Sequence, residues 1–331
     1  MNANVSIEKT LRDPSLRLRA SGWKDAEGVA QMTYDACAAE GDAIIAVSAE
    51  ELRHGWQDPD FTLEQDAFVV EAQEGHIVGY ADVTNSYGYA ILNMNGNVHP
   101  KFKGRGIATT LLRAVEKRAR EKMSLAAPDT RVVIETTLNI NDRDSNELHR
   151  NEGYQPTSCH WRMEIVLDGP PPEPKFPEGI ELRPFIKGEH DLAVWRAQNE
   201  AFRDHPGSHE WTIEEWRRER LEDPEFDASL WKIAWDGEEI GGFALNRYRT
   251  GIGWVRMLGV RRPWRKRGLG EALLYHSFGE FFRRGMKTIG LGVNAQNPTG
   301  ATRLYKKVGM HAASEHITYE KELRPGREME Q

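Results

Sequence analysis

Val260-Arg261-Arg262-Pro263-Trp264-Arg265-Lys266-Arg267-Gly268-Leu269-Gly270 is the stretch on which the fold turns. An apolar extended run, residues 252–260, leads into it. Out of it comes a run with Leu269, Ala272, Leu273, Phe278 and Phe281 at helical spacing, which predicts an amphipathic helix from about 268 to 284. The junction reads as strand, basic turn, helix start. The same layout occurs 162 residues earlier as Val98-His99-Pro100-Lys101-Phe102-Lys103-Gly104-Arg105-Gly106-Ile107-Ala108.

Three further landmarks repeat in the same order. Leu16-Arg17-Leu18-Arg19-Ala20 lies under Ile180-Glu181-Leu182-Arg183-Pro184. Gly75-His76-Ile77-Val78-Gly79-Tyr80 lies under Gly237-Glu238-Glu239-Ile240-Gly241-Gly242, and Leu148-His149-Arg150-Asn151-Glu152-Gly153-Tyr154 under Leu304-Tyr305-Lys306-Lys307-Val308-Gly309-Met310. The chain is two copies of one domain. Its 331 residues are also comfortable for two domains. Between the copies, Asp168-Gly169-Pro170-Pro171-Pro172-Glu173-Pro174-Lys175-Phe176-Pro177 holds five prolines in ten residues, which cannot donate the amides of a helix or central strand. The predicted division is a first domain over 1–167, a stiff linker over 168–178 and a second domain over 179–331.

In the second copy, residues 189–202 and 212–221 read as helices, and 229–235 and 239–247 as strands around an Asp236-Gly237 turn. A strand near 288–293, a helix over 298–308 and strand-like sequence to about 322 follow the long helix. The predicted fold class is α/β of the α+β type: two tandem domains, each a mixed, mostly antiparallel central sheet flanked by helices.

Lys and Arg number 44 against 51 Asp and Glu, a net charge of −7, which argues against broad binding to nucleic acid or anionic membranes. No apolar run approaches a membrane span, and the N-terminus has no apolar signal core. With Cys37 and Cys159 as the two cysteines, a disulfide framework is excluded and a cytoplasmic location is expected. His205 and His209 are four apart, but Pro206 and Gly207 break any helix between them, so no metal is expected.

At a strand–helix junction the first backbone N–H groups of the helix are unpaired and point at whatever sits there. Glycine lets an anion approach, and basic neighbours add charge. A dinucleotide fingerprint is excluded, because Leu273 stands where its third glycine belongs, and no Walker loop occurs. The pattern Arg265-x-x-Gly268-x-Gly270 resembles the acetyl-CoA pyrophosphate loop of the GNAT superfamily of N-acetyltransferases. The stretch Asn297 to Met310, with Leu304-Tyr305 and then Gly309, is similar to that family's closing signature. The tandem layout is similar to that of the mycothiol synthase branch.

The resemblance implies acetyl-CoA as co-substrate and transfer of its acetyl group to a primary amine of a small molecule or peptide. Arg265, Lys266, Arg267, Gly268, Leu269 and Gly270 would hold the pyrophosphate, with Leu258, Gly259 and Val260 along the thioester and Asn294 and Asn297 beside the cofactor. Tyr305 would be the catalytic residue, donating to the departing thiolate. In the first copy Val98, Lys103, Gly104, Arg105, Gly106, Ile107 and Ala108 would bind cofactor. There His149 replaces the tyrosine, and Lys103 and Ala108 replace Arg265 and Gly270, so chemistry is expected in the second copy. Family members often carry a glutamate on the strand before the loop; here Trp254 stands in its place. Glu200, Asp204, His205 and His209 are the substitute bases, and tryptophans beside Glu200 and Asp204 are expected to help form an acceptor pocket. The alternative reading is a non-catalytic acyl-CoA-binding module.

Overall fold

Alternating apolar residues lay out the first half of the chain as β1 (Arg17–Ala20), α1 (Ala26–Ala39), α2 (Ala49–Gly55), α3 (Leu63–Asp66), β2 (Ala67–Glu71), β3 (Ile77–Tyr87), β4 (Ile91–Val98), α4 (Ile107–Lys122), β5 (Val132–Asn139), α5 (Arg143–Asn151) and β6 (Gln155–Val166). The second half continues with β7 (Ile180–Pro184), α6 (Asp191–Phe202), α7 (Ile213–Leu221), β8 (Lys232–Asp236), β9 (Glu239–Arg249), β10 (Ile252–Val260), α8 (Leu269–Arg283), β11 (Thr288–Asn294), α9 (Ala301–Lys307) and β12 (His311–Arg324). The computed structural model describes residues 11, 13–203, 210–297 and 299–328.

The chain forms two compact units: Met1–Ser158 with His316–Glu330, and Cys159–Glu315. The first unit orders its strands β1-β2-β3-β4-β5-β12, the second β7-β8-β9-β10-β11-β6. All pairs within each unit are antiparallel except β4 with β5 and β10 with β11. The units therefore do not divide at the proline-rich segment. Strand β12, at the end of the second copy, pairs with β5 from Asn139 to Val132, and β6, at the end of the first copy, pairs with β11. Each copy gives its last strand to the other. Both strands carry similar apolar alternation, so the sequence pattern fits either partner, and only the ladder hydrogen bonds choose.

Register also shifts one alignment. Gly79 lies opposite Val98 and Gly242 opposite Val260, because Val78 and Gly241 are bulged out of their pairings with the preceding strands. The true match of Gly79 is Gly242, not Gly241. One consequence is that Asp82 of the first unit corresponds to Leu245 of the second.

Helix α8 packs Leu274, Phe278 and Phe281 on Ile289 and Leu291, while Val194, Trp216, Trp231 and Ile233 fill the other sheet face. Burying each large side chain contributes about 1.5–3 kcal/mol. Thr212 starts α7 with a reciprocal cap, accepting from the Glu215 amide at 3.2 Å while Glu215 accepts from the Thr212 amide at 2.8 Å. In the first unit α4 covers Val70, Val83, Leu92 and Ile134, and α1 covers Val69 and Tyr80.

Candidate active site

Strand β10 pairs with β11 only at Gly253 and Trp254. Beyond that point β10 stays on β9, while β11 follows β6 as far as Asn294. The two parallel strands thus part into an open V, with Trp254 at its base, buried against Gly290. Arg256 is bulged between the Val255–Asn246 and Met257–Leu245 pairs. The bulge falls immediately before Met257, Leu258, Gly259 and Val260, whose β11-facing backbone edge has no strand partner. The Phe243 ring leaves no room for a Cβ at Gly259.

At the end of β10 a turn over Arg262–Trp264 is anchored by Trp264 Nε1, which donates to Asp236 at 2.8 Å. Lys266 then takes φ +61° and Gly268 φ +85°, and α8 begins with no side-chain cap. Its first amides lack a side-chain cap, beside the exposed Lys266 and Arg267. Arg265 donates to the Val260 and Ala201 carbonyls, each at 3.0 Å, tying the strand end to α6. Leu269 is core. Gly270 serves packing, since a Cβ there would lie 3.2 Å from Leu304 of α9.

Tyr305 sits on α9 among Met163, Val308 and Met310, and no side chain hydrogen-bonds its hydroxyl among the described residues. Burial pushes the phenol up to about 12, so it stays protonated at neutral pH. Asn294 accepts from the Gln296 amide at 2.8 Å and Asn297 from the Thr299 amide at 2.9 Å; both shape the connection from β11 to α9. Glu200 is neutralised by Arg261, whose Nε donates to it at 2.7 Å. Asp204, His205 and His209 lie outside the described residues. Sequence reasoning missed the Arg220, Asp223, Arg247 and Arg256 cluster around the bulge. Asp223 accepts from Arg247 at 2.9 Å and from Arg256, while burial beside Arg256 lowers Arg220 to about 9, still cationic at pH 7. The arginine-rich run 217–220 was its only signal, and it reads equally as a solvated helix face.

The first unit repeats the layout with different contacts. Strand β4 meets β5 only over Ile91–Asn93, and the bulge near 94–95 is absent from the β3–β4 register. Gly104 and Gly106 take φ of +81° and +84°, and Ile107 is core. Lys103, however, donates to Asp142 at 2.9 Å and lies 3.9 Å from Glu40, while Arg105 pairs with Asp13 at 2.9 Å and covers the Phe102 ring. Burial, then Asp142 alongside, pushes Glu40 up to about 7. A cavity of about 610 Å³ is lined by Val98, Ala108, His149 and Asp82 among others. Asp82, unnoticed in the sequence, accepts from Tyr80 at 2.5 Å and Asn95 at 2.9 Å, and Trp56 donates to Tyr80 at 3.0 Å. Burial raises its pKa. His149 Nδ1 donates to the Ser145 carbonyl at 2.7 Å, and burial lowers its pKa, keeping the ring neutral.

No cluster of three His, Cys, Asp or Glu suited to a metal occurs among the described residues. No helix among them is long and apolar enough to cross a membrane.

Residues 41–144 and 192–310 each match the acetyltransferase (GNAT) family. The mycothiol acetyltransferase of Salinispora arenicola is 31% identical over 260 residues, covering 76% of this chain and 80% of that protein. Its namesake from Thermobispora bispora is 32% identical over 230 residues, covering 67% and 73%. Among solved structures, a GCN5-related N-acetyltransferase from Sphaerobacter thermophilus superposes with a TM-score of 0.79 at 36% identity, over 96% of this chain and 98% of that one. A tandem GNAT protein from the clavulanic acid biosynthesis pathway shares the fold, with a TM-score of 0.71 at 17% identity over 94% of this chain and 100% of that one.

Proposed function

The chain belongs to the GNAT acetyltransferase family, and from that premise we propose that the second unit transfers acetyl from acetyl-CoA to an amine, with Tyr305 as the group facing the leaving thiolate. The observation that carries this reading is the bulge at Arg256. It sits where the β10 edge opens onto the V, and it has no counterpart at the matching place in β4. Amides of the Met257–Val260 edge would donate hydrogen bonds to the thioester oxygen as negative charge develops on it. The phosphates would lie on the first turn of α8, against Lys266 and Arg267.

The step begins with a neutral amine attacking the carbonyl carbon. The tetrahedral oxyanion collapses, the carbon–sulfur bond breaks, and the thiolate takes a hydrogen bond from the Tyr305 phenol. The extra proton on nitrogen leaves to solvent or to a residue of the 204–209 segment. The first unit would serve as scaffold, without turnover. Neither Cys37 nor Cys159 is joined in a disulfide, which supports a reducing, cytoplasmic setting.

The activity for which these relatives are named gives a second reading, a mycothiol acetyltransferase. The absence of a carboxylate from Ile252 to Val260 counts against it, given the glutamate that the resemblance leads one to expect there. Release of coenzyme A thiol from acetyl-CoA, across a panel of primary amines that includes a mycothiol-like precursor, tests both readings. Turnover with one acceptor class identifies the substrate. No release with any amine would replace the enzyme reading by the binding-module reading.

A further inference from the structure

Two features of the first unit play no part in that chemistry: its cavity of about 610 Å³, and the pairing of both basic residues of its loop with carboxylates. The geometry points to a second ligand site in this cavity, one that takes a cationic amine with an apolar body and excludes the phosphate-bearing donor.

The exclusion follows from charge. A diphosphate arriving at the first turn of α4 would find Lys103 engaged by Asp142 and flanked by Glu40, and Arg105 engaged by Asp13. It would have to displace those carboxylates or sit beside them, and like charges so placed repel. The second unit sets no such obstacle at Lys266 and Arg267.

The preference for an amine follows from what the walls offer. Leu52 and Met94 supply apolar surface, and Asp82 also lines the cavity, with Tyr80 and Asn95 holding its oxygens in place. His149 is 6% exposed, and its Nδ1 proton is committed to the Ser145 carbonyl. Its Nε2 is therefore an acceptor, buried and without a partner. Such a nitrogen has no proton to give a thiolate, so it does not repeat the role of Tyr305. It does match an ammonium group, which has donors alone, and an unmet buried acceptor is costly to leave so. Asn139, 4% exposed, lines the same cavity with an unpartnered Nδ2, a donor for a hydroxyl or carbonyl oxygen on the ligand's body.

Two calorimetric titrations of the full chain test the site. Coenzyme A should bind at one equivalent per chain in the wild type and at two in the Asp13→Asn/Glu40→Gln/Asp142→Asn variant, whose loop has lost the opposing carboxylates. Two equivalents in the wild type would overturn the proposal. Hexylammonium chloride should bind at least tenfold more tightly than hexan-1-ol, and Asp82→Asn or His149→Phe should each weaken it at least tenfold. Equal affinity for the amine and the alcohol, or indifference to both substitutions, would also overturn it. The wild-type coenzyme A stoichiometry decides even if a variant fails to fold. None of these readouts depends on acetyl transfer, so the failure of one proposal is distinguishable from the failure of the other.

Discussion

In the first unit's loop, Gly104 and Gly106 hold φ of +81° and +84°; in the second, Lys266 and Gly268 hold +61° and +85°. The backbones are the same, yet the charges meet different partners. Lys103 and Arg105 face Asp142 and Asp13, whereas Lys266 and Arg267 are exposed to whatever the helix start binds. A shared backbone thus repeats the shape of the loop without repeating the partners of its charges. That pairing depends on residues outside the loop, such as Glu40, which lies 3.9 Å from Lys103.

The sharpest way to break this comparison is to block both helix starts. Gly268→Val puts a side chain where the donor's phosphates would lie, in a left-handed conformation that itself costs about 1–3 kcal/mol. Acetyl-CoA affinity measured by calorimetry should fall at least ~100-fold. Gly106→Val should leave it unchanged, and equal losses would refute the asymmetry.

Next in size is the pair Tyr305 and His149. Tyr305→Phe should lower kcat about 10- to 100-fold with little change in the acetyl-CoA KM, because the ring still packs and a transition-state hydrogen bond is lost. His149→Phe should change kcat less than about twofold by the same reasoning. With the phenol pushed up to about 12, the rate profile between pH 6 and 10 should carry no limb that Tyr305→Phe removes.

Glu40 sharpens the comparison through stability. Its folded pKa is raised to about 7 from an ordinary 4.5, so its contribution is fully present below the ordinary value and is lost as pH rises through 7. Urea unfolding of the wild type should show the first unit weaker by roughly 1–3 kcal/mol at pH 8 than at pH 5.5. Glu40→Gln should flatten that slope. An unchanged slope would place the pH dependence elsewhere.

The smallest effect is expected at Lys266. Lys266→Gly gives the second loop the residue the first has at Gly104 and relieves a positive φ. Thermal unfolding should show a gain of about 0.5 kcal/mol, while acetyl-CoA affinity weakens a few-fold and loses part of its salt dependence. A loss of stability would mean that the lysine side chain holds the turn.

Much of the second unit was legible because its signals are local. The helices 191–202 and 213–221, the Asp236-Gly237 hairpin and the long helix after Gly268 fall within a few residues of their predicted places. Hydrophobic period and glycine placement are properties of neighbouring residues. The loop that carries the family resemblance is local in the same sense. The role of Arg265 was not legible, because its partners, the Val260 and Ala201 carbonyls, include one on a distant helix.

By itself the sequence determined the repeat, the strand–loop–helix unit and the membership those motifs imply. Only the tertiary structure decided which strand completes which sheet, since β6 and β12 carry interchangeable patterns and their hydrogen bonds are long-range. It also decided the electrostatic state of the two loops. Lys103 reads as a phosphate ligand until Asp142, 39 residues away, is found 2.9 Å from it. Charge acts through space with no regard for sequence distance, so of two loops written alike one leaves its Lys266 and Arg267 exposed and the other pairs its Lys103 and Arg105 with the protein's own carboxylates.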